Sequence, residues 1–310
     1  MYTLIQSINW SQPYIQYVPV TAGVGLEPAF STASIIRNSF LSAPIAWPWN
    51  RAESSGTAVT SANQDYTIAL TDFGFLETAT LTDANGKVHT IKDVMNSAPI
   101  GYSPTDKTAR PNAIAVMAIT PGTSVKVRLL SVPDQSYTLR LTYQKASLSF
   151  VVDSATSVSA GSPAVYHGTF DTTNYPSGAF LYVTGFATAG NNGVFPITTS
   201  TSSTISVTNA GAVNETPATP ASVANVSWSP IPDHYMDVYN NLFLSEMLSF
   251  TDDPGRAQMY RQRGVARFLA KADGLNEMQK NAWMQIWLAR NNESLTTPER
   301  AQQGTQGRGV

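Results

Sequence analysis

From Ala146 to Trp228 the chain contains no lysine or arginine, although it carries 19 basic residues in all. The flanks share them, ten before and nine after, and only Asp153, Asp171 and Glu215 are charged within the stretch. A switch this complete predicts an independently folding insert with uncharged, Ser/Thr-rich faces, set between two segments of ordinary polarity. The length of 310 residues already favours two or three structural units over one.

The segment before the insert divides by hydrophobic period. Pro13, Pro19, Gly23 and Gly25 break the start, so an irregular arm is expected there. Glu27 to Leu41 reads as a helix, because Phe30, Ala33, Ile36, Phe40 and Leu41 keep one face apolar until Pro44. An aromatic corner follows, Ala46-Trp47-Pro48-Trp49-Asn50-Arg51. From Gly56 to Lys145 the period is two. Strands are expected at Gln64 to Leu70, Phe75 to Leu81, Lys87 to Ile91, Ala113 to Ala118, Ser124 to Leu130 and Tyr137 to Tyr143. Asp83-Ala84-Asn85-Gly86, Thr120-Pro121-Gly122 and Pro133-Asp134 supply turns, and the pattern predicts an antiparallel meander forming a sheet or sandwich.

The insert repeats the strand signature at Ala179 to Val183, Val194 to Thr198 and Thr204 to Val207, with Gly190-Asn191-Asn192-Gly193 as a tight turn. It reads as a compact β-sandwich of the Ig-like kind, or a barrel. After Trp228 the period returns to 3.6. Asp233 to Ser249 carries Tyr235, Tyr239, Leu242, Phe243 and Met247. Asp252 or Asp253 caps the next helix, with Pro254 in its first turn and a stripe of Ala257, Tyr260, Gly264 and Phe268. Leu275 to Arg290 carries Met278, Ala282, Trp283, Ile286 and Trp287. The tail from Thr296 is polar and Gln/Gly-rich and is expected to be extended.

The expected fold class is therefore α+β. Residues 1–55 (arm and one N-terminal helix) and 229–295 (about three helices) form a helical domain. Residues 56–145 form an antiparallel β-sheet or sandwich, 146–228 an inserted Ig-like β-sandwich, and 296–310 an extended tail.

Candidate chemistry is sparse. There is no cysteine, which excludes disulfides and thiolate metal sites and suits folding in a reducing cytoplasm. The net charge of −2 does not favour long-range attraction to nucleic acid. The start lacks the basic flank and apolar run of a signal peptide, and no stretch approaches a membrane span. His89, His167 and His234 lie apart without carboxylates at ligand spacing and read as solvated imidazoles. Asp252-Asp253 reads as a helix cap, and Gly190 to Gly193 lacks the Lys-Ser/Thr of a phosphate loop. Ser154, Ser157 and Ser159 sit in no nucleophile elbow. Arg256, Arg261, Arg263 and Arg267 read as a solvated face or as inter-subunit ion pairs rather than a phosphate-binding row. Trp47 and Trp49 form a candidate structural corner, a packing wedge more than a sugar platform. No catalytic, cofactor or metal site is expected.

Several segments resemble the head-to-tail adaptor proteins of short-tailed bacteriophages, the tail tubular protein A-like family. Phe40 to Glu53, around Ala46-Trp47-Pro48-Trp49-Asn50-Arg51, resembles their helix-to-sheet junction. Asn63-Gln64-Asp65-Tyr66 and Val132-Pro133-Asp134…Tyr137…Leu141…Tyr143-Gln144-Lys145 resemble their β portion. Pro230-Ile231-Pro232-Asp233…Tyr235…Tyr239, then Asp253…Arg256-Ala257…Tyr260, resembles their C-terminal helices. The insert, through Val183-Thr184-Gly185-Phe186 and Ala189-Gly190-Asn191-Asn192-Gly193-Val194-Phe195, is similar to small β-domains embedded in phage virion proteins.

The resemblance implies a structural virion protein made in the host bacterial cytoplasm and placed at the head–tail junction. It implies a homo-oligomeric ring of twelve subunits under the portal protein, with tail nozzle or tail tube proteins docking below. Genomic DNA would pass through the lumen without sequence-specific binding, and no membrane is involved. Candidate subunit or portal contacts are Tyr239, Phe243, Trp283, Trp287, Gln302, Gln303 and Arg308. An alternative is a decorating or receptor-binding protein whose insert recognises a glycan through aromatics such as Tyr166 and Tyr182. A particle-associated wall hydrolase is the enzyme-class alternative, with almost no motif to motivate it.

Overall fold

The computed structural model describes residues 3–15, 28–61, 63–97, 105–146, 150–228, 231–249 and 253–293. The expected extended tail, with Gln302, Gln303 and Arg308, lies outside them, as does Asp252. The fold is α+β, with three apolar cores: one helical, one in a β-sandwich and one in a barrel.

Among the described residues, five α-helices from the two ends of the chain build the helical unit: α1 (Leu4–Ser11), α2 (Ala29–Leu41), α3 (Met236–Ser249), α4 (Pro254–Lys271) and α5 (Glu277–Glu293). Helix α1 corrects the expectation of an irregular start as far as Ser11, whereas Pro19, Gly23 and Gly25 lie outside the described residues. Thr3 and Gln6 form a capping box, in which the Gln6 side chain accepts from Thr3 N at 2.8 Å and Thr3 Oγ1 from Gln6 N. Pro13 falls beyond the helix, in a short 3-10 turn, so it interrupts nothing. Asp253 caps α4 through Arg256 N at 3.1 Å, with Pro254 at the first helical position. Helix α3 is the axis of the unit. Its residues from Val238 to Ser245 are all buried, so it shows no single apolar stripe. Gly264 lets α4 lie close against it, since a Cβ there would come within 2.7 Å of Leu242 Cδ2.

The second unit has strands β1 (Arg51–Glu53), β2 (Thr57–Val59), β3 (Asp65–Ile68), β4 (Phe73–Thr82), β5 (Val88–Ile91), β6 (Asp93–Met95), β7 (Thr105–Thr108), β8 (Ala113–Thr120), β9 (Ser124–Leu129), β10 (Ser131–Val132) and β11 (Tyr137–Lys145). One sheet runs β5-β4-β11, with β1 and β2 sharing the far side of β11; the other runs β3-β9-β8-β6. Leu76, Leu81, Leu139 and Leu141 of the first meet Ile114, Val125 and Val127 of the second in one core. The expected strands are present, but they do not form a meander. Strand β11 returns to pair with β4, and both β6–β8 and β7–β10 are parallel. A period of two fixes which face of a strand is buried; it does not say which strand lies beside it.

The insert is a barrel of β12 (Val152–Ser159), β13 (Ala164–Gly168), β14 (Phe180–Thr184), β15 (Gly193–Ser200), β16 (Thr204–Val207) and β17 (Ala221–Asn225). All neighbours are antiparallel and the order β12-β13-β16-β15-β14-β17 closes on itself, which corrects the Ig-like sandwich. Closure also accounts for the absent cations. Open sheets commonly guard their edges with lysine, and a closed barrel has no edge to guard. The three acids of the insert each fasten a loop. Asp153 accepts from the Tyr175 hydroxyl, and Asp171 from Thr173 N and Oγ1. Glu215 takes Ala187 N, Thr188 N and Asn191 Nδ2.

Candidate functional site

The most organised polar constellation is the junction where the helical unit meets the sandwich. Trp47 is buried, and its indole Nε1 donates to Phe40 O at 2.7 Å, closing the chain back on the end of α2. Its ring stacks on Trp49 at 5.1 Å and meets Tyr235 edge-on at 5.4 Å. From the other side comes Gln144 of β11. Trp47 N donates to Gln144 Oε1, and Gln144 Nε2 donates to Trp47 O, both at 3.1 Å. The same Nε2 reaches Glu77 Oε2 at 2.9 Å, and Arg51 pairs with Glu77. Burial pushes the Glu77 carboxyl up, but the bonds from Arg51 and Gln144 together hold it below its ordinary value. Asn50 Nδ2 donates to Lys145 O at 2.9 Å, and β1 continues the pairing along β11. Trp47 and Trp49 thus form a packing wedge, with Trp47 buried and Trp49 half-buried.

A second junction anchors the barrel. The chain enters it beside Phe150 and leaves through Val226 to Trp228. Leu4 N donates to Val226 O at 2.8 Å, and Trp228 Nε1 donates to Ser7 Oγ at 3.1 Å. The Trp228 ring stacks flat on Tyr239 at 4.8 Å. Arg37 of α2 donates to Ser227 O and lies over the Phe150 ring at 3.6 Å. Burial brings its guanidinium down to about 9.

The expected contact residues require a correction. Tyr239, Phe243, Trp283 and Trp287 are fully buried in the helical core, with Trp283 stacked on Phe268. These rings fill the chain's own interior, so they offer no face to a second subunit. Aromatic stripes on helices look the same in a core and at an interface, and here the core takes them. The arginines of α4 bind within the chain. Arg256 pairs with Asp253, Arg261 with Glu246 and Arg267 with Asp237, which also holds Lys271; Arg263 lies over the Tyr260 ring.

His89 is not the solvated imidazole expected. It lies between Asp83 Oδ2 at 3.1 Å and Arg110 Nη1 at 3.2 Å, tying the β4–β5 turn to the segment before β8. His167 Nε2 lies 3.0 Å from Ser159 Oγ, but no carboxylate among the described residues orients it as a base. Among the described residues no group of three or more His, Asp or Glu could hold a metal ion. No described helix is long and apolar enough to cross a membrane. The aromatics that motivated glycan binding point elsewhere. Tyr166 is buried with its hydroxyl on Asn191 O, and Tyr182 packs against the helical core.

Arg37 and Phe150 were not singled out from the sequence, and Gln144 entered only as part of the motif Tyr143-Gln144-Lys145, without a structural role. Gln144 had a signal: it is a polar residue in the buried run Tyr143-Gln144, where the alternation of β11 breaks. Register shifts on both sides of Tyr143-Gln144 turn that side chain inward to Trp47. Comparison with protein-family models and with curated proteins finds no match for this chain.

Proposed function

We propose that this chain is a structural subunit of a tailed bacteriophage particle, a head-to-tail adaptor. It forms a ring, twelvefold by the resemblance, beneath the portal and presents the docking site for the tail. One observation supports this reading above the others. Three of the segments that resemble adaptors, separated in sequence, meet at one junction: Trp47, Trp49 and Asn50, then Gln144 and Lys145, then Tyr235. A set of residues that packs two units rigidly together suits a load-bearing connector, and it offers no arrangement of nucleophile, base and oxyanion donors.

Immunogold microscopy of particles with this protein tests the reading, after opening the heads to expose a covered ring. Gold at the single tail vertex is the expected result. Gold spread over the capsid or at fibre tips sinks the adaptor and favours a decorating protein acting through the barrel.

A further inference from the structure

Although the large aromatics of the helical unit are buried, one cluster reaches the surface where the end of α1 meets α4. Trp10, Tyr14 and Tyr260 form a ladder with ring centroids 5.3 and 6.0 Å apart, and Arg263 lies over the last ring at 5.4 Å. Tyr14 is 41% exposed and Met259, beside Tyr260 on α4, is 37% exposed. Arg256 donates to Tyr14 O at 3.0 Å, and its ion pair with Asp253 is a loose 3.5 Å. Arg263 is exposed and has no carboxylate partner among the described residues. Helix α4 contains no Asp or Glu. The patch is therefore apolar with a cationic rim. Its rings are tilted into contact with one another, so a base could not slide between them, which argues against a nucleic-acid strand.

Beyond the other end of α4 lies the complementary surface. Met278, in the first turn of α5, is 69% exposed, the most exposed of the large apolar side chains among the described residues. Beside it the Glu277 side chain is 83% exposed; Glu277 Oε1 meets Lys280 at 3.1 Å, and Asp273 is exposed in the preceding turn. The knob is apolar with an acidic rim. It lies about 20 Å from the patch, at 1.5 Å per residue along α4. Two complementary surfaces at opposite ends of one helix cannot satisfy each other within a chain. Between copies they make a heterologous contact, the kind that repeats into a ring when the rotation closes.

We propose that copies of this chain associate head to tail, the Glu277–Met278 knob of one copy seated on the Trp10–Tyr14–Met259–Arg263 patch of the next. The proposal rests on the adaptor reading for the expectation of a ring, and on the two surfaces for its residues. Met278 supplies the apolar anchor against Tyr14 and Met259. The Glu277 carboxylate meets Arg263, which sets register and partner choice more than affinity.

The test is charge exchange in the full chain, read by analytical ultracentrifugation, with thermal melting to confirm each variant is folded. R263E and E277R, each alone, should weaken association by about tenfold or more and move the mass toward the single chain at 33.4 kDa. M278D should do the same. Mixing R263E with E277R should restore assembly, because every contact in an alternating ring is then either the native pair or its charge-swapped counterpart. Assembly of the single variants at wild-type strength overturns the interface and leaves the adaptor reading standing. So does loss of assembly that mixing does not restore. A wild-type chain that stays monomeric at every concentration also overturns it. The adaptor reading is judged independently by the position of gold on the particle.

Discussion

Gln144 and Tyr239 fall on opposite sides of the rule that a buried polar group needs a partner. Gln144 bonds both the N–H and the carbonyl of Trp47 and reaches Glu77 as well. Replacing it with leucine keeps the volume but leaves the buried Trp47 N–H unpaired, at about 1–3 kcal/mol, while the Trp47 carbonyl keeps its bond from Asn50 N. Gln144→Leu is expected to lower unfolding stability by about 2 kcal/mol in urea titration; a loss below about 0.5 kcal/mol would mean the junction is wet or loose. Tyr239 is the reverse. Its hydroxyl is buried without a hydrogen-bond partner among the described residues, and burial pushes its pKa well above the ordinary value. Tyr239→Phe removes the desolvated oxygen and keeps the ring stacked on Trp228, so stability should stay level or rise by about 1 kcal/mol. A marked loss would show that the hydroxyl has a partner, such as a buried water. The same variant should leave any self-association unchanged, because the ring faces the chain's own core.

At the scale of elements, α3 and α4 show where reading from sequence succeeds and where it stops. The stripe Ala257, Tyr260, Gly264 and Phe268 is visible as a period, and those four are the buried residues of α4. The cap was legible to within one residue, as Asp252 or Asp253, because Asp before Pro is chemistry local to one turn, and the structure gives Asp253. What the stripe packs against is non-local, and Gly264 shows why that matters. It reads as a weak helix former, yet it is the point of closest approach to α3, facing Leu242. Gly264→Val should push the helices apart and cost about 1–3 kcal/mol, despite the better fixed backbone; thermal melting of the purified variant measures it. An unchanged midpoint would mean that Leu242 swings clear. The strands repeat the lesson. Their positions followed from alternation and turn residues, whereas the pairing of β11 with β4 and the closing of β12 onto β17 depend on residues 56 to 72 positions apart. The corner at Trp47 was visible as a cluster of aromatics, but its partner Gln144 lies 97 residues away.

For the whole molecule, the lysine-free stretch marks a real boundary, and its geometry shows how the barrel could have been added to a two-unit body. Val152 and Ala224 are register partners on β12 and β17, so the chain enters and leaves the barrel about 5 Å apart. The stem residues Phe150 and Trp228 belong to the helical core by contact, and Arg37 holds both. Removing residues 152–224 and joining the cut ends with a short Gly/Ser linker should therefore leave the helices and the sandwich folded. What is lost is the buried Ala224 and the packing of Phe180, Tyr182 and Val194 against the helical core. Ala224 is small and the other three are only half buried, so the remaining body should be destabilised by about 3 kcal/mol rather than unfolded. Circular dichroism should retain the helical signal, and melting should stay cooperative. A molten or aggregated product would mean that the barrel is structural support for α1 and the Arg37 stem. A folded product separates the roles of the parts: if the barrel-free chain still joins the tail vertex, the helices and sandwich carry assembly and the barrel is an outward addition.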